Sequence, residues 1–190
     1  MKAYISSQIE ESRRVLAAMD DALLATVETV AKACIDSLRC GGKILLAGNG
    51  GSAAQAQHMA GELMGRFAFD RPGLPAIALT TDTAVLTAIG NDYGYEHVFA
   101  RQVQAHGNKG DVFIGFSTSG KSPNILMSFE EARACGLICV GFTGNRGGPM
   151  RELCDYLLEI PSDETPRIQE WHLVLGHILC GLVEEALFSR

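Results

Sequence analysis

The sequence has little that would suit it to nucleic acid or to a bilayer. Its 190 residues carry 16 lysines and arginines against 22 aspartates and glutamates, a formal net charge of −6, with no basic run interleaved with aromatics. The electrostatic footprint that attracts a phosphodiester backbone is therefore missing. No apolar stretch reaches the roughly 18 residues expected of a membrane span. Met1 to Glu10 also lack the apolar core of a secretory signal, so a cytoplasmic protein is the expectation. Six cysteines are present (Cys34, Cys40, Cys135, Cys139, Cys154 and Cys180) without any Cys-x-x-Cys pair. That removes the usual signatures of zinc ribbons and dithiol redox sites. Several sit in apolar runs, where a thiol is a small hydrophobe, and no chemistry is assigned to them.

What is there is a 47% hydrophobic, 20% charged chain, enough for one globular domain over residues 1–190. A helical arm is expected over 1–40, an α/β core over 43–160 and a C-terminal helix over 166–188. In the arm, Ile9, Val15, Leu16, Met19, Leu23, Val27, Val30, Ala31 and Cys34 recur at helical spacing, with a join near Met19 to Asp21. In the core, short apolar runs alternate with helical patterns. Strands are expected over 43–47, 75–79, 112–116, 137–142 and 156–160, a pattern that implies a doubly wound, mostly parallel five-stranded sheet with helices on both faces.

The central stretch is Val112 to Asn124. An apolar run stops at Ser117-Thr118-Ser119-Gly120, and a helix start follows at Ser122-Pro123. Hydroxyls of Ser117, Thr118, Ser119 and Ser122, with the free N–H groups of the next helix, would make an anion cradle. Simple N-capping by Ser122 ahead of Pro123 is the plainer explanation. Four hydroxyls in six residues exceed what one cap needs.

The first strand opens into Gly48-Asn49-Gly50-Gly51-Ser52, followed by a helix expected over 53–67. Gly48-x-Gly50-x-x-Ala53 fits the dinucleotide fingerprint formally, but Asp82 comes later than the acid that fingerprint wants. In a 2-1-3-4-5 strand order the Asn49 and Ser117 loops leave the strands flanking the topological switch point and share one crevice. On the helix over 53–67 His58 and Glu62 are four residues apart and face one side. They could share a metal, act as an acid/base pair, or be surface polar groups, with Glu62 pairing to Arg66. A short helix over 84–89 is expected to break at Gly90 to Gly94, where Asn91 and Asp92 could reach a ligand or merely serve the turn. The last helix holds His177 inside an apolar stretch and Gln169 near its start. These two lie about 12 Å apart along an ideal helix, too far for one metal unless the helix bends, Gln169 lies outside it or two chains contribute. Leu173, Val174, Leu175, Ile178, Leu179, Leu182 and Val183 cover nearly every face, so burial, plausibly between subunits, is expected.

Together these blocks resemble the sugar isomerase (SIS) domain family. They are Gly48-Asn49-Gly50-Gly51-Ser52, His58 with Glu62 and Arg66, Gly90-Asn91-Asp92, Ser117-Thr118-Ser119-Gly120-x-Ser122-x-Asn124, and Arg167-Ile168-Gln169-Glu170 with His177. Within that family the chain is similar to members that convert sedoheptulose 7-phosphate to D-glycero-D-manno-heptose 7-phosphate. That is the first step of ADP- or GDP-heptose synthesis for lipopolysaccharide. The resemblance implies a cytoplasmic homotetramer with sites at subunit interfaces and one zinc per subunit, held by His58, Glu62, Gln169 and His177. It implies phosphate binding by Ser117, Thr118, Ser119 and Ser122, and substrate contacts from Asn49, Gly50, Gly51, Arg66, Asn91, Asp92 and Gln169. Moving a proton between adjacent carbons through an enediolate needs a base, here Glu62, and exchange at the oxygens, here His177. Some relatives carry an aspartate where this chain has Pro166, so that acid's role does not transfer. The DnaA initiator-associating protein, a non-enzymatic adaptor, shares the middle sequence through Leu86 to Asp92. It lacks the acid and the C-terminal histidine that this chain keeps. A sugar-phosphate-sensing regulatory module would need an attached DNA-binding region.

Overall fold

The computed structural model describes residues 1–188. Two helices, α1 (Lys2–Ala17) and α2 (Asp21–Arg39), form the arm. They part at the expected join because Asp20 caps α2, its Oδ1 accepting the Leu23 N–H at 2.9 Å. The sheet comprises β1 (Ile44–Gly48), β2 (Ala76–Ala78), β3 (Val112–Phe116), β4 (Ile138–Gly144) and β5 (Tyr156–Ile160). All neighbours pair in parallel, in the order β2-β1-β3-β4-β5. The remaining helices are α3 (Gly51–Met64), α4 (Thr83–Tyr93), α5 (Ala100–His106), α6 (Pro123–Ala134), α7 (Met150–Leu153) and α8 (Thr165–Phe188).

Both faces of the sheet are buried, and the strand period sorts each strand between two cores. Ile44, Leu46, Val112, Ile114, Phe116, Val140 and Phe142 join the cluster under α2, α3 and α8. Leu45, Ala47, Phe113 and Cys139 join the one under α5 and α6. Gly48, Phe116 and Phe142 stand level across β1, β3 and β4, so the loops leaving these strands emerge at one edge. At that edge Gly120 has φ +64, and a Cβ there would lie 2.1 Å from the Gly147 carbonyl oxygen. The loops after β3 and β4 interlock at a point only glycine permits.

Three expectations change. Residues 90–93 are not a break: Asp82 caps α4 by accepting the Val85 N–H at 3.0 Å, and the helix runs to Tyr93 before Gly94 at φ 95 ends it. Asn91 and Asp92 therefore lie in its exposed last turn, bonded to each other at 2.8 Å. Helix α3 starts at Gly51 and stops at Met64, short of residue 67. And α8 is buried on one side rather than all round. Ile168, Leu175, Leu179, Cys180 and Val183 are interior, whereas Val174, Ile178 and Leu182 are 38%, 44% and 38% exposed in a ridge at four-residue steps. By length and composition this 24-residue helix could cross a bilayer, but it packs on α2 and α3 and buries Arg167, His172 and Glu184, as a core helix does.

Candidate active site at the β1 and β3 loop ends and along α3 and α8

The two glycine-containing loops are tied by side chains. Asn49 and Asn124 form a reciprocal amide pair, each Nδ2 donating to the other's Oδ1 at 2.9 Å, and Tyr95 Oη donates to Asn49 Oδ1 at 3.3 Å. Asn49, Tyr95, Glu96, Ser122, Pro123 and Asn124 line a cleft of about 300 Å3. Ser122 is the N-cap of α6, yet its side chain makes no cap bond. Its Oγ instead meets Ser117 Oγ at 3.0 Å. Capping therefore does not account for Ser122, whose hydroxyl stands at the start of α6, where an anion would meet free N–H groups. Thr118 and Ser119 border a second cleft of about 210 Å3 with Lys121, Asn145, Arg146 and Ser162, so the hydroxyl cluster spans two clefts rather than one.

Gly50 (φ 54) turns the chain into α3. Gly51 is where α8 comes closest, since a Cβ there would lie 2.6 Å from Gln169 Nε2. The backbone carbonyl of Gln169 also accepts a hydrogen bond from Gln55. From this point α3 and α8 run side by side in the same direction. Gly176 abuts Met59, His58 meets His177, and Glu184 meets Phe67 beyond the end of α3.

His58 Nε2 and His177 Nε2 are 2.8 Å apart, and His58 Nε2 lies 3.3 Å from Glu62 Oε1. One ligand atom from each of these three residues falls within 4.8 Å of the others. Two imidazole nitrogens and a carboxylate oxygen, half-open to solvent, are a donor set suited to zinc. Gln169 is not with them. Because α8 is continuous from Thr165 to Phe188, Gln169 stays about 12 Å up the helix axis from His177 and sits at the Gly51 loop.

Arg66 lies past the end of α3, exposed, and among the described residues makes no ion pair with Glu62. The arginine that organises this end is Arg71, within a segment that reads only as a turn. Its guanidinium bonds the carbonyls of Glu62, Leu63 and Gly65 and the carboxylate of Glu184. His172, also missed, is fully buried on α8. Its Nε2 donates to Thr143 O at 3.1 Å, and burial pushes its pKa down from 6.5 to about 4. The thiols of Cys34, Cys139 and Cys180 are pushed up to about 12 by burial, in keeping with a packing role.

The match to known proteins extends over the whole of this arrangement. A model of the SIS domain matches residues 8–144. The phosphoheptose isomerase of Burkholderia pseudomallei (strain 1710b) is 72% identical over 189 residues, covering 98% of this chain and 96% of that one. That of Aneurinibacillus thermoaerophilus is 60% identical over 192 residues, covering 100% and 97%. The solved phosphoheptose isomerase of Neisseria gonorrhoeae superposes with a TM-score of 0.92 at 40% identity, covering 97% of this chain and 98% of that one. The chain belongs to the SIS domain family and, within it, to the phosphoheptose isomerases.

Proposed function

We propose that this chain isomerises sedoheptulose 7-phosphate to D-glycero-D-manno-heptose 7-phosphate through an enediolate, in the cytoplasm. The observation that carries the reading is the convergence of His58, Glu62 and His177 in a fold that also builds a hydroxyl-lined phosphate cradle. An adaptor would need the fold but not that trio. Incubating the zinc-loaded protein with sedoheptulose 7-phosphate and detecting the aldose tests it; no aldose at any metal loading would overturn it.

Ser117 and Ser122 would anchor the phosphate, with Asn49, Gly50 and Gly51 at the sugar. Glu62 would take the proton from C1 of the ketose and return it to C2, while His177 exchanges protons at the two oxygens. Zinc, held by His58, Glu62 and His177, would polarise those oxygens. Glu62 and His177 belong to both sets, and a lone pair given to the cation would not be free for a proton. Ser122→Ala is expected to weaken substrate or inorganic phosphate binding by about 1.5–3 kcal/mol, the loss of a bond to a charged acceptor. Ser119→Ala, in the second cleft, separates the two clefts: unchanged phosphate protection of Ser122→Ala in thermal unfolding, with loss in Ser119→Ala, would move the phosphate there.

The site also argues for assembly. His58 and Glu62 lie seven and eleven residues along α3 from Gly51, about 10 and 16 Å by helical rise. The trio of one subunit facing the cradle of another closes that distance. Tyr4, Ile5, Ile9 and Leu16 on α1 and the Val174, Ile178 and Leu182 ridge are exposed apolar surface that a tetramer would cover. Sedimentation at micromolar concentration should show the tetramer, and a monomer would sink this arrangement.

A further inference from the structure

Below the trio lies a buried ion pair that the proposed chemistry does not use. Arg71 and Glu184 have side chains only 2% and 1% exposed, with Arg71 Nε 3.0 Å from Glu184 Oε1. Arg71 closes the C-terminal end of α3. Its Nη2 donates to Glu62 O at 2.9 Å, and its Nη1 to Leu63 O at 2.6 Å and Gly65 O at 3.2 Å. These are carbonyls the helix end leaves without intrahelical donors. Glu184, on α8, accepts the N–H groups of Phe67 at 2.8 Å and Ala68 at 2.6 Å, the chain just leaving α3. The Phe67 ring in turn lies tilted against His177, with centroids 5.8 Å apart.

The bonds of this knot therefore link, through the segment that follows α3, the helix that carries His58 and Glu62 to the helix that carries His177: Arg71 holds the end of α3, and Glu184 holds Arg71 and the chain leaving that helix. One of them is made to the backbone of Glu62 itself. A buried pair of this kind contributes little net stability once desolvation is counted. What it does contribute is geometry, because a guanidinium with several fixed donors accepts one arrangement of its partners. A one-residue slip of α8 against α3 would move His177 by about 1.5 Å along the axis and about 100° around it, enough to dissolve the trio.

We propose that Arg71 and Glu184 are positioning residues for the His58–Glu62–His177 site, fixing the height and rotation of α8 against α3 so that the three ligand atoms converge. The inference rests on the reading that this trio holds a divalent cation. Neither residue touches substrate or metal. The phosphate cradle hangs from β1 and β3, outside the knot's reach, so substrate binding and metal binding should respond differently.

The test uses Arg71→Lys and Glu184→Gln in the full chain, with fold checked by circular dichroism. Zinc affinity is read by competition with a chromogenic chelator, and site geometry by the visible spectrum of the cobalt-loaded protein. Zinc affinity should fall by about 10- to 100-fold, the usual consequence of disturbing groups that orient metal ligands. The cobalt spectrum should shift, and kcat should drop with KM for the sugar phosphate near its original value. Should Arg71→Lys not fold, Glu184→Gln, which keeps the shape and one acceptor oxygen, carries the same measurement. Folded variants that bind zinc as tightly as the unsubstituted protein, with an unaltered cobalt spectrum, would overturn the inference. An unsubstituted protein that takes up neither metal would overturn the metal reading as well, so the two failures are distinct.

Discussion

Glu62→Gln is expected to lower the rate of isomerisation by about 10²- to 10⁴-fold, the contribution typical of a positioned general base, while sugar-phosphate binding stays close to normal. The substitution keeps the side chain's length and one oxygen beside His58, which now stands 3.3 Å from Glu62 Oε1. It removes the basicity needed to take a proton from carbon. The hydroxyls of Ser117 and Ser122 and the Asn49–Asn124 amide pair lie on other elements, so the proposed phosphate anchor would be untouched. Measuring substrate affinity, zinc content and exchange of the carbon-bound proton with solvent in the same preparation separates base from ligand. Loss of exchange with zinc retained is the expected pattern. Near-normal isomerisation by Glu62→Gln would sink the assignment.

The sheet order was legible in the sequence because it follows from local signals: five apolar runs between helical patterns, and loops rich in glycine and hydroxyls at two strand ends. The first helical break was legible for the same reason, since Asp20 is a cap only three residues from Leu23, whose N–H it accepts. What depends on distant partners was not. Arg71 and Glu184 are 113 residues apart, and Asn49 and Asn124 are 75. A single sequence gives no reason to pair them over any other polar residues. Asn91 and Asp92 misled because both are turn formers by propensity. The stops of α4 are set outside them, by Asp82 and Gly94. Gln169 shows the limit of motif reading. The same helix carries it and His177, but α8 is unbroken, and a regular helix delivers Gln169 to the start of α3 and His177 to its middle.

Acid should weaken this fold through His172 before it protonates most carboxylates. The ring is fully buried against Phe142, at 5.5 Å, and Phe116, at 5.9 Å. Its Nε2 must carry the proton that is donated to Thr143 O, which leaves Nδ1 bare and without a partner among the described residues. Charging the ring would place an unpaired N–H and a positive charge among phenylalanines, and burial accordingly holds the folded pKa near 4, below the ordinary 6.5. With the folded value depressed, the unfolded chain takes up the proton first. The contribution is complete above pH 6.5, erodes as pH falls, and is exhausted below about pH 4. A shift of that size corresponds to about 3 kcal/mol of stability. The cost falls next to the loop that follows β3, because the residue after Thr143, Gly144, donates its N–H to Thr118 O at 3.1 Å. Denaturant unfolding at pH 7 and at pH 4.5 should therefore differ more in the unsubstituted protein than in His172→Gln, which keeps a donor for Thr143 but cannot titrate. Equal pH dependence in the two proteins would show that His172 does not carry the acid sensitivity.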